Sequence, residues 1–254
     1  MLTRFFIIVV FLCSPLLGYA QSIPDFSANY LVRLNGLSAG ELKRDLTTAE
    51  DGKRTFHSQS QAKGIFAFFK PDLVEETSII TLEDQKIHSQ SYLYKRTGGK
   101  KDKYLSIKFD WNSQHINIDN KKQTWSLPAQ EHTLDKLNYQ LALMLDLKQQ
   151  NNELNYHIID GIKLKTYDIA IVDTETIETP LGKIATVKLK RQRDGKNKRQ
   201  TTLWCAPKLN YLPVKIEHIE KDGTKFTAVL RRLKGMVSTD AFEKVAKQTN
   251  PLLP

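Results

Sequence analysis

The sequence predicts a mainly β protein: a large curved antiparallel sheet, or an incomplete β-barrel meander, of about a dozen strands with one central α-helix over residues 133–149. Three observations lead there. Short runs of alternating apolar and polar residues recur from Phe26 to Lys234, which is the period of a half-buried strand. Most runs are separated by tight-turn pairs such as Asn35-Gly36, Asp51-Gly52, Asp160-Gly161 and Asp222-Gly223. Tight turns join antiparallel neighbours, because parallel strands need long crossovers. One long stretch alone, Thr133 to Gln149, has its apolar residues at helical spacing. A sheet of so many strands must curl or close, with the helix filling or covering its concave side.

Before the first strand, Met1 to Ala20 carries Arg4, an apolar run from Phe5 to Leu12, and the small residues Gly18 and Ala20. That pattern is an export signal with cleavage after Ala20. The apolar run is shorter than the roughly 20 residues of a spanning helix. Lipidation at Cys13 is disfavoured by Leu12, which stands where a small residue is expected. The mature chain is then expected in the periplasm, with residues 21–235 as one β-rich domain and 236–254 as a tail with a weak helical stretch.

The first strands run Phe26–Leu34, Leu37–Leu46 and Thr55–Ala62. Gly40 inside the second marks a bulge or a close backbone approach. Gly64 to Phe69, GIFAFF, breaks the alternation, and Lys70-Pro71 closes it. Its apolar side chains are expected either in a buried connection or, through Phe66, Phe68 and Phe69, as an aromatic lip on a ligand cavity. Strands Leu73–Leu82, Ile87–Arg96 and Tyr104–Trp111 follow, then a shorter hairpin, Gln114–Ile118 and Gln123–Leu127, that Pro128 ends.

In the helix, Leu134, Leu137, Leu141, Met144 and Leu145 form one apolar stripe, and Tyr139, Leu143 and Leu147 lie roughly opposite. A helix apolar on two sides is buried on both or covers something. Thr133 is the expected cap, Asp135 belongs to the first turn, and Asn151-Asn152 stops the helix. Strands resume at Leu154–Ile159 and Lys163–Val172. A short piece Glu175–Glu178 follows, then Lys183–Arg193, Arg199–Cys205, Val214–Glu220 and Lys225–Lys234.

Charge and cysteines narrow the function classes. The chain holds 38 Lys and Arg against 28 Asp and Glu, a net charge of +10. In an exported protein this points to an anionic envelope surface, not to nucleic acid. Without the signal, Cys205 is the single cysteine, so no internal disulfide forms and the core must hold the fold. The six histidines are scattered without i, i+2 or i, i+4 pairs, so neither a metal site nor a cofactor is expected. Glu75, Glu76 and Asp110 are the carboxylates available for acid–base work, but no recognised catalytic constellation surrounds them. Phe109 and Trp111 flank Asp110, which suits a structural hydrogen-bonding role. The basic residues gather at two turns: Lys95, Arg96, Lys100, Lys101 and Lys103 at one, and Lys190, Arg191, Arg193, Lys196, Lys198 and Arg199 at the other. They make one footprint if both turns share an end of the sheet, and two solvated turns if they do not.

Several stretches resemble an uncharacterised domain-of-unknown-function family of exported bacterial proteins. They are Tyr30 with Gly36 and Gly40, Phe109-Asp110-Trp111, Asp160-Gly161 with Tyr167, Thr179-Pro180-Leu181-Gly182, and Trp204-Cys205-Ala206-Pro207 with Tyr211-Leu212-Pro213-Val214. The resemblance spans about Phe26 to Lys234 and implies an exported, β-rich protein without established catalytic residues. A looser similarity of layout to LolA/LolB-type lipoprotein carriers implies an incomplete barrel around a greasy cavity, although one clear helix stands here where the carriers have several.

The leading functional expectation is a non-enzymatic periplasmic protein. It would bind a lipid, an acyl chain or a lipidated partner in an apolar groove under the helix, lined by the Leu134–Leu145 stripe with Phe66, Phe68 and Phe69. Lys100, Lys101, Lys103, Arg191, Arg193, Lys198 and Arg199 would meet an anionic membrane or envelope surface. The alternatives are an envelope protein- or glycan-interaction module with a solid core and, more remotely, a hydrolase.

Overall fold

Alternating side chains and tight turns give one open, curved sheet of 15 strands among the described residues of the computed structural model, which are 22–69, 71–192, 199–236 and 240–243. The first arm contains β1 (Phe26–Leu34), β2 (Leu37–Thr48), β3 (Arg54–Ala62), β4 (Leu73–Glu83), β5 (Lys86–Thr97), β6 (Lys103–Asp110), β7 (His115–Asp119) and β8 (Thr124–Pro128). The second contains β9 (Leu134–Asp135), β10 (Leu154–Asp160), β11 (Lys163–Thr179), β12 (Gly182–Gln192), β13 (Gln200–Ala206), β14 (Leu212–Ile219) and β15 (Lys225–Lys234). Helix α1 (Ile65–Phe69) lies between β3 and β4, and α2 (Tyr139–Lys148) between β9 and β10.

The strand order is β8-β7-β6-β5-β4-β3-β2-β1-β15-β14-β13-β12-β11-β10-β9. The chain therefore starts in the middle, meanders to one edge, crosses through β9 and α2 to the other edge, and meanders back. Its first and last strands pair at the centre, with Tyr30 opposite Leu230. Every pairing is antiparallel except β9 with β10. The strand total exceeds the expected dozen. The pieces predicted at Lys163–Val172 and Glu175–Glu178 are one long strand, β11, with a register shift between Ile171 and Asp173. A bulge keeps a ladder continuous where the alternation slips, so the sequence reads as two strands.

The central helix is shorter than the expected 133–149. Leu134 and Asp135 pair with Ile158 and Ile159 as β9, and α2 begins only at Tyr139. The start is set by a reciprocal turn. Asp135 Oδ1 accepts the backbone N–H groups of Leu137 (2.7 Å) and Asn138 (2.8 Å), while Asn138 Oδ1 accepts that of Asp135 (2.9 Å). This is the logic of a capping box, placed three residues before the helix proper. Thr133 instead bonds back to the carbonyl of Gln130. The stripe residues Leu134, Leu137, Leu141, Met144 and Leu145 are 0–3% exposed, and Tyr139, Leu143 and Leu147 on the other side are buried too. The helix is therefore a plug, enclosed by inward side chains such as Phe26, Ile80, Ile107, Ile116, Ile158 and Leu203.

The segment preceding α2 also joins the two arms. Ser78 of β4 donates to Asp135 Oδ2 (2.5 Å), Asn138 Nδ2 donates to Ser89 Oγ of β5 (2.9 Å), and Ser89 donates to the carbonyl of Thr133 (3.0 Å). On its other side the same segment holds β10. A buried hydroxyl or amide left alone is costly, and here each finds a partner.

The segment after β15 returns to β12, where Glu243 exchanges backbone hydrogen bonds with Lys183. Around that contact β13 is buried along both faces from Thr202 to Ala206. Cys205 is buried and unpaired, and burial holds its thiol well above the ordinary range. The expected export signal over Met1–Ala20 and most of the expected C-terminal helical stretch lie outside the described residues.

Candidate ligand-binding site

Antiparallel alternation fixes which connections share an end of the sheet. The rim toward which α2 runs carries the β2–β3, β4–β5, β6–β7, β11–β12 and β13–β14 connections. The opposite rim carries the β1–β2, β3–β4, β5–β6, β7–β8, β10–β11, β12–β13 and β14–β15 connections. The two basic turns of the sequence, β5–β6 and β12–β13, are therefore on the same rim, several strands apart around the curve. Lys100, Lys101 and Lys103 lie at the first, and Arg199 at the second pairs with Glu220 (2.6 Å). Arg193 and Lys198 lie outside the described residues.

The inner face changes character between the two rims. Near the helix rim, Phe26, Leu46, Phe56, Ile80 and Ile87 are fully enclosed. Farther along the same strands, Val32, Leu42, Tyr94, Leu105 and Ile216 are only partly buried. The plug fills one half of the concavity and leaves the other open.

At the open rim lies a groove of about 280 Å³, whose apolar walls include Val32, Leu34, Ala62, Phe66, Val74 and Phe226. Gly40 forms part of its floor. A Cβ there would lie 2.4 Å from the carbonyl oxygen of Gln61, so only glycine lets β2 and β3 approach this closely. Helix α1 flanks the groove. Phe66 lines it, whereas Ile65 (68% exposed) and Phe68 (87%) face solvent. Of the two expectations for GIFAFF, the buried connection does not hold, because two of its large side chains are out in water. The side chain of Phe69 lies outside the described parts. Leu37 (66%) and Ile162 (41%), in the turns of the same rim, are also exposed apolar tips.

Where the plug ends and the open half begins sits a group of polar side chains. Arg44, in phase with Leu42 and Leu46 on β2, points inward. Its Nη1 donates to Gln140 Oε1 (2.5 Å) and its guanidinium lies 5.9 Å from the centre of the Tyr30 ring. Arg191 lies over the Tyr167 ring, which meets Tyr139 edge-on with centres 5.5 Å apart. Lys136, 41% exposed, stands 3.7 Å from Asp160. Burial works against its charged form, but the carboxylates of Glu76 and Asp160 outweigh that and raise its pKa. Glu76 accepts the Tyr92 hydroxyl (2.5 Å). Burial also pushes the Asp135 carboxyl up to about 7, against the lowering hydrogen bonds from Ser78, Asn138 and Leu137.

A second cleft, of about 360 Å³, opens at the helix rim between Ile87, Leu134, Leu145, Asp146, Tyr156 and His157. Leu134 and Leu145 thus edge a cleft, whereas Leu137, Leu141 and Met144 are closed inside the core. The carboxylates considered for acid–base work do not meet. Glu75 and Glu76 face opposite sides of β4, and Asp110 sits in a turn where it accepts the Ser113 N–H (3.1 Å) and is held below the usual carboxylate range. Phe109 and Trp111 stack beside it with centres 5.7 Å apart. Among the described residues no group of three or more His, Cys, Asp or Glu comes together to hold a metal. No helix among them is long and apolar enough to cross a membrane.

The family model described as "Protein of unknown function (DUF3108)" matches residues 29–231. The chain belongs to the DUF3108 family. The open groove, Arg44, Arg191 and the Asp135 seam all lie within that match. No curated protein matches this DUF3108 chain. Among solved structures, a beta-barrel-like protein of the family DUF1849 from Brucella abortus is similar at 10% identity, covering 84% of this chain and 98% of its own, with a TM-score of 0.55. That likeness concerns the fold and agrees with the incomplete barrel. MucB is more distant, at 11% identity over 89% of this chain and 59% of its own, with a TM-score of 0.37.

Proposed function

We propose that this DUF3108 protein is a non-enzymatic envelope protein that binds an acyl chain in the open half of its sheet, at the rim away from the helix plug. The observation that carries the reading is the unevenness of the inner face. One half is sealed by α2, and the other presents an apolar groove lined by Val32, Leu34, Ala62, Val74 and Phe226. Such a concavity removes hydrocarbon from water at about 25 cal/mol per Å². The groove adjoins the Leu134–Leu145 plug end to end, so the ligand would lie beside the helix instead of beneath its stripe. At the same rim the exposed tips Leu37, Ile65, Phe68 and Ile162 stand with Lys100, Lys101 and Lys103. Apolar tips set among lysines suit the surface of an anionic bilayer, where basic residues contribute about 1 kcal/mol each.

The test is to purify the mature protein gently, analyse its organic extract by mass spectrometry, and titrate the emptied protein with a fluorescent fatty acyl probe. Expected are a co-purified amphiphile and saturable uptake, with Val74→Glu and Phe226→Glu each lowering affinity at least tenfold. No extract and no saturable uptake would overturn the reading. The closed packing of α2 favours a second one, an interaction module with a solid core that works through its surface. That reading expects the Val74→Glu and Phe226→Glu proteins to keep full partner binding.

A further inference from the structure

We infer that Arg44 and Arg191 form an anion-binding site at the inner end of the open half, against the start of α2, which takes the carboxylate or phosphate head of a single-chain amphiphile whose tail runs back toward the groove. The inference rests on the acyl-binding reading and specifies which ligand and in which direction. Arg44 is 9% exposed, and among the described residues no carboxylate lies within ion-pair distance of it. Its Nε–H, like that of Arg191, is buried without an acceptor. Two other arginines with an orphaned Nε differ in this respect, since Arg96 has Asp72 at 3.5 Å and Arg231 has Glu41 at 3.0 Å. A buried guanidinium with neither counter-ion nor full hydrogen bonding is costly unless a ligand completes it.

The two arginines are linked through the helix start. Arg44 contacts Gln140, the neighbouring Tyr139 meets Tyr167 edge-on, and Arg191 covers Tyr167. Both act on the Tyr139 hydroxyl, which they pull down while burial holds it up at about 12. Of the nearby carboxylates, Glu76 accepts from Tyr92, and Asp160, on which Arg191 also acts at a distance, already pairs with both Lys136 and Lys165. The unspent charge here is therefore positive, and guanidinium suits carboxylate and phosphate through paired N–H groups. The geometry also sets the direction of binding. Gly40 in the groove floor and Arg44 share one inward row of β2, four residues or roughly 13 Å apart. A head at Arg44 therefore leaves its hydrocarbon pointing along Leu42 toward the mouth.

The experiment compares three probes below their micelle thresholds by titration calorimetry: oleate, oleoyl lysophosphatidate and the neutral oleyl alcohol. The natural protein is expected to bind at least one anionic probe ten or more times more tightly than the alcohol, and the tighter anion identifies the head. Arg191→Gln and Arg44→Gln are each expected to lose most of that preference while oleyl alcohol binding stays unchanged. Arg44→Lys, which keeps the charge but not the planar fork, should lose an intermediate share. Circular dichroism checks folding, and Arg191→Gln, at the less buried position, decides if Arg44→Gln unfolds. Equal affinity for oleate, lysophosphatidate and alcohol, or a preference intact in both variants, would overturn the arginine site while leaving the groove reading standing. Failure of all three probes to bind would overturn both.

Discussion

The two halves of the concavity are built from the same strands and behave as opposite environments. Phe26 near the helix rim is enclosed, as is Tyr30 at mid-strand, whereas Val32 and Leu34, farther along β1, stand open. The difference comes from one ten-residue helix that reaches only part of the way across. What fills a curved sheet, and not the sheet itself, therefore decides where this molecule is core and where it can be site. Polarity is graded in the same direction: aliphatic side chains enclose Leu141 and Met144, while arginine, lysine and tyrosine gather around the start of α2, toward the open half.

Substitutions in the two halves can break or sharpen that contrast. The largest expected effect is in the sealed half, where Leu141→Ala leaves a void around a side chain that is wholly buried. It should cost about 2–5 kcal/mol in urea unfolding. A loss below 1 kcal/mol would mean that the plug is loosely packed and the contrast overdrawn. The next effect is at the boundary, in the Asp135 seam. Its pKa of about 7 lies above the ordinary carboxylate value of an unfolded chain. The folded state therefore binds the extra proton, so this contribution is complete below about pH 4 and is lost as pH rises through about 7. Between pH 5 and pH 8 the protein should lose roughly 2–3 kcal/mol from this group. Asp135→Asn, which resembles the protonated form, should remove that slope. A natural protein whose stability is flat from pH 5 to pH 8 would contradict the assignment.

Smaller changes belong to the open half. Val32→Ala removes methyl groups that are already partly in water, so it should cost about 1 kcal/mol or less. A cost matching that of Leu141→Ala would show the two halves to be equally packed. Phe68→Ser, at a side chain 87% exposed, should change stability by less than about 0.5 kcal/mol. It should nevertheless weaken co-sedimentation with anionic phosphatidylglycerol vesicles. Unchanged co-sedimentation would remove Phe68 from the surface-contact set.

Much of the sheet was legible because alternation and turn pairs act locally: β1 and β15 begin and end where their patterns do. The misreadings are long-range in origin. Leu134 and Asp135 have helical spacing to the residues after them, yet pairing with Ile158 and Ile159 draws them into a strand. Tertiary hydrogen bonds from Ser78 and Ser89 then hold that seam, and no local pattern encodes them. The candidate site was less legible than the fold. Basic clusters at two turns were visible, but their common rim follows from counting strand reversals through the whole ladder. Arg191, grouped with those surface charges, turns inward onto Tyr167. Arg44 carried a readable signal, an arginine in phase with Leu42 and Leu46 where an apolar residue is expected. The groove was legible only at Phe66, through the break in alternation at GIFAFF, because Val32, Val74 and Phe226 come from three strands that are distant in sequence.

The central pairing of β1 with β15 has a kinetic consequence. Partners such as Tyr30 and Leu230 stand about as far apart along the chain as its described length allows. Each arm can form hairpins early, but the two cannot be joined until the final strand is available. Loops that long make closure slow and late in folding. Until then the edges of β1 and β15 are bare and able to pair with a neighbouring chain. The interval between synthesis of β1 and arrival of β15 is thus when this protein is most exposed to aggregation, and when a holding chaperone would have most to do.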